Sequence, residues 1–491
     1  MSSLGLILIA LVAVGVIATG LPAFVMLLIA ASAGAVAGLT AGTFTPGVLG
    51  SVPQRLIALL ESDILQALPL YLLMGALLNR LGLAESIFRT GTTMLSRSRA
   101  APMASGFLLG AMLGPMNGSV GASVLALSKT LGPRLVHADI APATREAIVA
   151  VASTLGVVVP PSLVLILLGD AMLTAHTIAI NATGRADRIV NTQDLLRGAL
   201  APAGLFIAAC LVVSCLIGRR TSDAHATVHE RASGRDVLIA GITVTFLVLL
   251  LGGVALGKFF AVEAAALGAV VMFAGAVFAG RLRGGALGSL LTDTIASTGA
   301  LFAPLLAATT FTLILRLLGT DKLINDWVAA LPGGQTFAVV AILGAIALAA
   351  LALDAFEIIF VAVPILVPPL LMRAPDAVWI GVLVLLVLQM SFLLPPFGYA
   401  LILARATLRE PTKLGDVMRA LLPFLVAQIA VLLLVVAMPS IVHLFDPPKP
   451  PLVVAPSLSK EEIDARARSV AMPPPPAFGL PGLPPALGGR P

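Results

Sequence analysis

Two carboxylates three residues apart, Asp354 and Glu357, interrupt one of the most apolar stretches of the 491-residue chain, LALDAFEIIFVAVPILVPPL at residues 351–370. Residues at this spacing share one face of a helix. Each ionised carboxylate at the centre of a bilayer costs about 2.5–3.5 kcal/mol, so the pair must face a cavity or a partner. Cation coordination and coupling to protonation are two roles that fit. The third is helix capping, in which Asp354 accepts hydrogen bonds from backbone N–H groups.

A second stretch is unusually polar and rich in glycine for an apolar chain. Residues 110–124 read GAMLGPMNGSVGASV. This composition does not suit a plain helix facing lipid, and it predicts a re-entrant hairpin with its tip near residues 117–121 and a return limb ending near Pro133. The alternative is a close helix–helix contact through Gly110 and Gly114.

Two proline pairs stand inside apolar segments. Pro160 and Pro161 interrupt TLGVVVPPSLVLILLGD at residues 154–170, and Pro395 and Pro396 interrupt QMSFLLPPFGYALI at residues 389–402. Proline has no N–H and clashes with the preceding helical turn, so each pair predicts a broken helix. Unwound backbone is tolerated in a membrane only where it lines a cavity, in which its carbonyls can bind a cation. The breaks therefore predict an ion or substrate site.

The prolines also reveal a repeat. An offset of 235 residues takes Pro69 to Pro304, Pro133 to Pro368, and the first proline pair to the second. The same offset overlays the glycine-rich stretch on the carboxylate stretch. Interrupted apolar segments at matched positions of two halves are typical of secondary transporters, whose site lies at the repeat interface near the bilayer midplane.

Composition places the whole chain in a membrane. Hydrophobic residues make up 59% of it, charged residues only 11%, and the mean hydropathy is +1.06. These values exclude a soluble globular protein. The net charge of +6 comes from basic residues dispersed at the ends of apolar runs, which fits the positive-inside rule and not nucleic-acid binding. The apolar runs cover residues 4–20, 22–39, 200–217, 237–251, 260–280, 336–353, 378–394 and 421–438.

We therefore expect an all-α polytopic membrane protein built from two inverted repeats, each with a re-entrant hairpin and a broken helix. The first repeat covers residues 1–217, with its hairpin near 103–133 and its broken helix near 143–176. A basic connector, residues 218–236, is expected in the cytoplasm. The second repeat covers residues 237–445, with its hairpin near 340–370 and its broken helix near 378–405. Inverted halves on either side of that connector place both termini in the periplasm. Residues 446–491 are rich in proline and are expected to be disordered or polyproline-like.

Several motifs together resemble a known family. VASTLGVVVPPSLVLILLGDAM, NGSVGASV, VEAAALGAV, LDAFEIIFVAVPILVPP and MSFLLPPFGYALI occur in this order and look like the large membrane subunit of the tripartite ATP-independent periplasmic (TRAP) transporters. The resemblance implies an elevator-type, sodium-coupled importer in the bacterial inner membrane. It implies a separate small four-helix membrane subunit and a periplasmic binding protein that delivers an organic acid, such as a 2-oxo or hydroxy acid. No organic cofactor and no enzymatic activity are expected.

The resemblance also implies positions for two sodium sites between hairpin tips and helix breaks. The first would use Asn117, Ser119, Gly156, Val159 and Pro161, and the second Asp354, Ser391, Leu394 and Pro396. Gly118, Gly121, Ser123, Ser162 and Glu357 would line the substrate cavity. Leu394 stands where a threonine is frequent in the family, so the second site lacks one side-chain ligand. Ligation by oxygen suits a hard monovalent cation.

Two other functions fit parts of the pattern. One is a stand-alone elevator-type anion/cation symporter that works without a binding protein. The other is an intramembrane enzyme that uses Asp354 and Glu357 as an acid/base pair, although no nucleophile or metal cluster accompanies them. Uptake that depends on a periplasmic binding protein would favour a TRAP transporter over the stand-alone symporter.

Overall fold

Helices form almost all of the secondary structure, because a helix satisfies its own backbone hydrogen bonds and needs no partner in lipid. The structure is a computed structural model, and it describes residues 2–95, 100–116, 119–185, 187–220, 232–351, 353–394, 398–408 and 412–447. No strand occurs in these ranges. The helices are α1 Ser2–Thr19, α2 Ala23–Thr40, α3 Pro46–Leu49, α4 Ser51–Leu60, α5 Asp63–Arg80, α6 Leu83–Met94, α7 Ala101–Leu113, α8 Val120–His137, α9 Pro142–Val158, α10 Leu163–Thr183, α11 Thr192–Arg220, α12 Gly234–Ala255, α13 Ala261–Phe278, α14 Ala286–Leu317, α15 Thr320–Ala330, α16 Gln335–Ala349, α17 Ala355–Glu357, α18 Val363–Arg373, α19 Ala377–Ser391, α20 Tyr399–Leu408 and α21 Leu414–Ala437.

The described part of the chain contains eight helical segments long and apolar enough to cross a membrane. This number confirms the expectation of an all-α polytopic membrane protein. The segments are Ala23–Thr40, Pro142–Thr183, Thr192–Arg219, Gly234–Ala255, Ala261–Phe278, Ala286–Leu317, Ala355–Arg373 and Leu414–Ala437. Shorter apolar helices, among them α7, α16, α19 and α20, add to these.

Helices recur along the chain at the offset that the prolines indicate. Helix α9 begins at Pro142 and α19 at Ala377, which is 235 residues later. Pro69 lies inside α5 and Pro304 inside α14. Pro133 lies inside α8, and Pro368 lies inside α18. This recurrence supports the predicted duplication.

The two broken helices lie in the interior of the protein. The described residues up to Asp446 pack as one compact unit. Within this unit α9 packs against α7, α8, α20 and α21, while α19 packs against α11, α16 and α21. In the segment Pro142–Thr183, which contains α9 and α10, 94% of the residues in the most apolar window are buried. A lipid-facing span would be far more exposed, so the first proline pair lies inside protein.

Two parts of the predicted organisation lie outside the described residues. Residues 221–231 of the connector and residues 448–491 of the proline-rich tail belong to this group. Helices α11 and α12 flank the connector.

At the first break, between α9 and α10, the peptide bond between Pro160 and Pro161 is cis.

Candidate functional site

The first break frees two backbone carbonyls. In an unbroken helix the N–H of residue i+4 would bond each carbonyl, but Pro160 and Pro161 have no N–H to offer Gly156 and Val157. The Ser162 hydroxyl replaces one of these bonds, because it donates to the Val157 carbonyl over 2.7 Å. The Gly156 carbonyl has lost its helical donor.

The turn that ends α7 lies directly against this break. It is a short 3₁₀ turn, Gly114–Met116, and it precedes the predicted hairpin tip. The backbones of Gly114 and Gly156 approach so closely that a Cβ added to Gly156 would lie 2.5 Å from the Gly114 carbonyl carbon. Only glycine fits at such a crossing. This contact between two backbones holds the end of α7 against the end of α9.

A small cavity of about 10 Å³ lies beside the Gly114–Gly156 contact. This volume is close to the minimum for one water-sized particle. Ser119, Ser123, Ser153 and Gly156 contribute to its lining. The Ser123 and Ser153 side chains are buried, and Ser119 caps α8 by accepting from the Ala122 N–H at 3.1 Å. Three serines and Gly156 therefore share the lining of one particle-sized space with apolar residues such as Val157 and Leu163.

The other residues predicted for the first site have different positions. Val159 ends α9, and its N–H donates to the Leu155 carbonyl. Pro161 is buried within the break. Asn117 of the first site and Gly118 of the substrate cavity lie outside the described residues. Ser162, predicted to line the substrate cavity, caps α10 through the Leu165 N–H at 3.0 Å.

The two carboxylates of the second half cap a helix reciprocally. Asp354 accepts from the Ala355 N–H at 2.8 Å, and buried Glu357 accepts from the Asp354 N–H at 2.9 Å. Capping by Asp354 was one of the alternatives left open by the sequence. The exposed Asp354 side chain retains lone pairs for a cation, because a carboxylate accepts several bonds at once. A π-helical turn, Ile358–Ala362, follows the cap, and such turns are frequent at functional sites.

A backbone hydrogen bond spans the second break. The Ala400 N–H reaches across it and donates to the Phe392 carbonyl over 3.1 Å. Ser391 is buried and its hydroxyl donates to the Leu388 carbonyl at 2.7 Å, which leaves the oxygen free to accept. Leu394 is half-buried at the edge of the break, and Pro396 lies outside the described residues.

Tyr399 connects the two halves at the hairpin tips. Gly121, a residue predicted for the substrate cavity, packs against the tyrosine so closely that a Cβ there would lie 2.6 Å from the phenol oxygen. The same hydroxyl is near enough to Asp354 to feel its charge. Tyr399 of α20 therefore contacts the start of α8 and lies within electrostatic range of Asp354.

Three residues that the structure brings out are not predicted from the sequence. Ser153 and Tyr399 lie within the motifs described above, but neither residue type is unusual there. Glu146 is fully buried in α9, where the Thr412 hydroxyl donates to it at 2.8 Å and Arg405 lies at 3.5 Å. A carboxylate in REAIVAVAST, followed by nine apolar or small residues, was the available signal for Glu146.

Comparison with known proteins gives a consistent family. Residues 7–441 match the family model described as the DctM component of the tripartite ATP-independent periplasmic transporter. The chain is 24% identical over 419 residues to the C4-dicarboxylate TRAP transporter large permease protein DctM of Rhodobacter capsulatus, covering 82% of this chain and 92% of that protein. It is 24% identical over 397 residues to the sialic acid TRAP transporter large permease protein SiaM of Vibrio cholerae, covering 79% and 87%.

A solved structure shares the fold. The YdaH transporter of Alcanivorax borkumensis superposes with a TM-score of 0.55 at 17% sequence identity, over 79% of this chain and 88% of that one. At this identity the likeness concerns the arrangement of helices alone.

Proposed function

Because this chain belongs to the DctM component of the tripartite ATP-independent periplasmic transporters, we propose that it is the permease subunit of a sodium-coupled organic-acid importer. The cavity between the Gly114–Gly156 contact and Ser119, Ser123 and Ser153 carries the proposal. Its donors are neutral oxygens at a broken helix, which is the kind of site in which secondary transporters bind Na⁺.

The second sodium ion would bind at the Asp354 carboxylate with the Ser391 oxygens and the backbone of the second break. Asp354 borders the candidate membrane span Ala355–Arg373, where a bound cation would offset the cost of its charge. Occupied sodium sites at both hairpin tips would favour the arrangement that accepts the substrate. A substrate carboxylate would then lie between the tips, where the Tyr399 hydroxyl can donate to it.

Transport by an elevator mechanism fits this arrangement. The hairpins and broken helices would move together as one body against the surrounding spans, because the Gly114–Gly156 and Gly121–Tyr399 contacts hold them to each other. In this proposal the whole body would carry the ions and the substrate across the bilayer.

Relatives and family name suggest the substrate and the partners. The two relatives described above are named for C4-dicarboxylates and for sialic acid, both of which carry a carboxylate, so an organic acid is the proposed cargo. The proposed partners are a small four-helix membrane subunit and a periplasmic binding protein. The proposed location is the bacterial inner membrane, with the connector in the cytoplasm and both termini in the periplasm.

The test is uptake into proteoliposomes that contain the permease and its small subunit. A thermal-shift screen of the cognate binding protein first identifies the acid. Uptake should require both that binding protein and an inward sodium gradient. Full uptake without the binding protein would favour the stand-alone symporter, and full uptake with potassium replacing sodium would contradict the proposed coupling.

A further inference from the structure

A large cavity lies at the end of α8 remote from the hairpin tip. Its volume is about 490 Å³, and helices α5, α6, α7 and α8 surround it. The cavity is far from the candidate sodium sites, since His137 at the end of α8 lines it while Ser119 precedes the other end of that helix. Nothing in the proposed transport cycle uses this space.

The lining of this cavity is strongly basic. Arg89, Lys129, Arg134 and His137 line it, and Glu85 is the only carboxylate among the described lining residues. One oxygen of Glu85 accepts from Arg89 at 2.8 Å and from Arg134 at 2.9 Å. The two arginines thus meet at one carboxylate oxygen on the cavity wall, and Lys129 adds a third basic side chain to the lining.

Lys129 has no hydrogen bond or ion pair within the part of the chain that the structure describes, and its side chain is exposed. Leu125, Lys129 and Val136 lie on one exposed face of α8, at spacings of four and seven residues. A lysine on an otherwise apolar face is typical of a helix that meets the bilayer, where the charged end reaches the headgroups. The Phe88 ring, 5.1 Å from the Arg134 guanidinium carbon, adds an apolar wall inside the cavity.

The cavity lies at the end of the bundle that carries the basic connector. The Ser86 hydroxyl of α6 contacts Asp236 at 3.4 Å, and the Thr93 hydroxyl accepts from the Ala232 N–H at 2.9 Å. Gly218 near the end of α11 packs against Ala100 at the start of α7. These contacts place the cavity beside the adjoining ends of the candidate membrane spans Thr192–Arg219 and Gly234–Ala255.

We propose that this cavity binds the phosphate of an anionic phospholipid headgroup. Arginine offers a planar pair of donors that match phosphate oxygens, and lysine adds a compact positive charge. The acyl chains would run from Lys129 along Leu125 on the exposed face of α8. Such a lipid would tie α6 to the base of the first hairpin, alongside the Glu85–Arg134 ion pair. The inference does not rest on the proposed transport function.

The test measures lipid binding to the purified, delipidated complex of the permease and its small subunit by native mass spectrometry. Phosphatidylglycerol should bind more tightly than phosphatidylcholine. Lys129→Gln should weaken phosphatidylglycerol binding by about fivefold, the factor expected for one basic side chain near a membrane surface, and Lys129→Arg should restore it. Lys413→Gln is the matched control, because Lys413 is an exposed lysine at the same end of the bundle but outside the cavity.

Competition with inorganic phosphate separates the two sources of the phosphate group. Phosphatidylglycerol that stays bound in millimolar phosphate supports a lipid occupant. Complete displacement by phosphate would overturn the lipid assignment in favour of a soluble phosphate. Equal binding of phosphatidylglycerol by the wild type and Lys129→Gln would overturn the site itself.

Discussion

The two broken helices share a proline pair but close their breaks differently. In the first, the Ser162 side chain donates to the Val157 carbonyl. In the second, the backbone N–H of Ala400 donates to the Phe392 carbonyl. The duplicated prolines thus determine where each helix breaks, whereas the residues around them determine how the freed carbonyls are used.

The ligands offered by the two breaks differ in charge. The first break meets the hairpin tip through a glycine contact and offers hydroxyls and a carbonyl. The second has Ser391 where the first has Gly156, and it is paired with a hairpin that begins at Asp354. We therefore expect a neutral cation site in the first half and an anionic one in the second.

Helices α9 and α19, which precede the two breaks, also differ in the contacts near their first residues. Near the start of α9, fully buried Glu146 is held by Thr412 and Arg405. At the start of α19, Asp376 caps the helix through the Trp379 N–H and pairs with His443 at 2.8 Å. We call the contacts of Glu146 the first anchor and the Asp376–His443 pair the second anchor. Only the second contains a histidine, so only the second depends on histidine protonation.

The largest expected effect comes from the buried anchor. Glu146→Ala leaves Arg405 beside a buried space without its carboxylate, and breaking such a pair costs about 3–5 kcal/mol. The midpoint of thermal unfolding of the purified complex should fall sharply. Arg419→Ala is the control, because its ion pair with Asp416 is exposed and is worth about 0–1 kcal/mol. Equal unfolding midpoints for the two variants would contradict the role of Glu146.

Gly156→Ala tests the contact between hairpin tip and break. The new Cβ would meet the Gly114 backbone at 2.5 Å, and overpacking of this kind costs about 1–3 kcal/mol. Uptake in proteoliposomes should fall by about tenfold or more, since a shift of the tip distorts the cavity. Gly344→Ala in α16 has open space around its Cβ and should transport normally. Normal uptake by Gly156→Ala would show that the contact is dispensable.

Asp354→Asn removes the charge of the second site and keeps its shape. Asparagine can still cap the helix, so the complex should fold, but the sodium concentration for half-maximal uptake should rise by about tenfold, or about 1.4 kcal/mol. Glu263→Gln is the control, because Glu263 also accepts a backbone N–H at a helix start, from Phe260 at 2.9 Å. The charge of the second site would be irrelevant to coupling if both variants responded to sodium like the wild type.

Ser119→Ala and Ser162→Ala separate capping from ion binding. Each loses an N-cap worth about 1 kcal/mol, and Ser162→Ala also leaves the Val157 carbonyl without its donor, a further cost of about 1–3 kcal/mol. Ser162→Ala should therefore lower the unfolding midpoint more, while Ser119→Ala should weaken sodium activation more. If the variant that loses more stability also loses more sodium activation, Ser119 would not be a sodium ligand.

The smallest effect concerns the second anchor. Burial lowers the pKa of His443, but hydrogen bonds and charges from Asp376 and Asp446 outweigh it and raise the pKa above its usual 6.5. Protonated His443 thus stabilises the fold below about pH 6.5, and this contribution is lost as the pH rises through the raised pKa. Because the side chain is partly exposed, the loss should stay within about 1 kcal/mol. In His443→Asn the unfolding midpoint should depend less on pH between about pH 6 and 9. An unchanged pH dependence would show that His443 does not contribute to it.

Local chemistry explains what the sequence could predict. Pro160 and Pro161 cannot complete a helix in any context, and the interruption between α9 and α10 falls on them. A repeat at a constant offset is likewise visible without a structure. The reciprocal hydrogen bonds of Asp354 and Glu357 follow from their spacing at a helix start, and capping was one of the roles considered for them.

Packing between distant segments explains what the sequence could not predict. Glu146 and Arg405 lie in different halves, and only the packing of α9 against α20 brings them together. Tyr399 reaches Gly121 in the same way. Ser153 faces the small cavity because of the rotation of α9 about its axis, which an apolar sequence with little periodicity does not reveal.

Equilibrium binding of sodium to the purified complex tests the difference between the two sites most directly. The wild type should bind sodium at both breaks, the double variant Ser119→Ala/Ser153→Ala should lose the ion of the neutral site alone, and Asp354→Asn should lose or weaken the other alone. Absence of sodium binding by the wild type, or identical binding by all three proteins, would contradict the account.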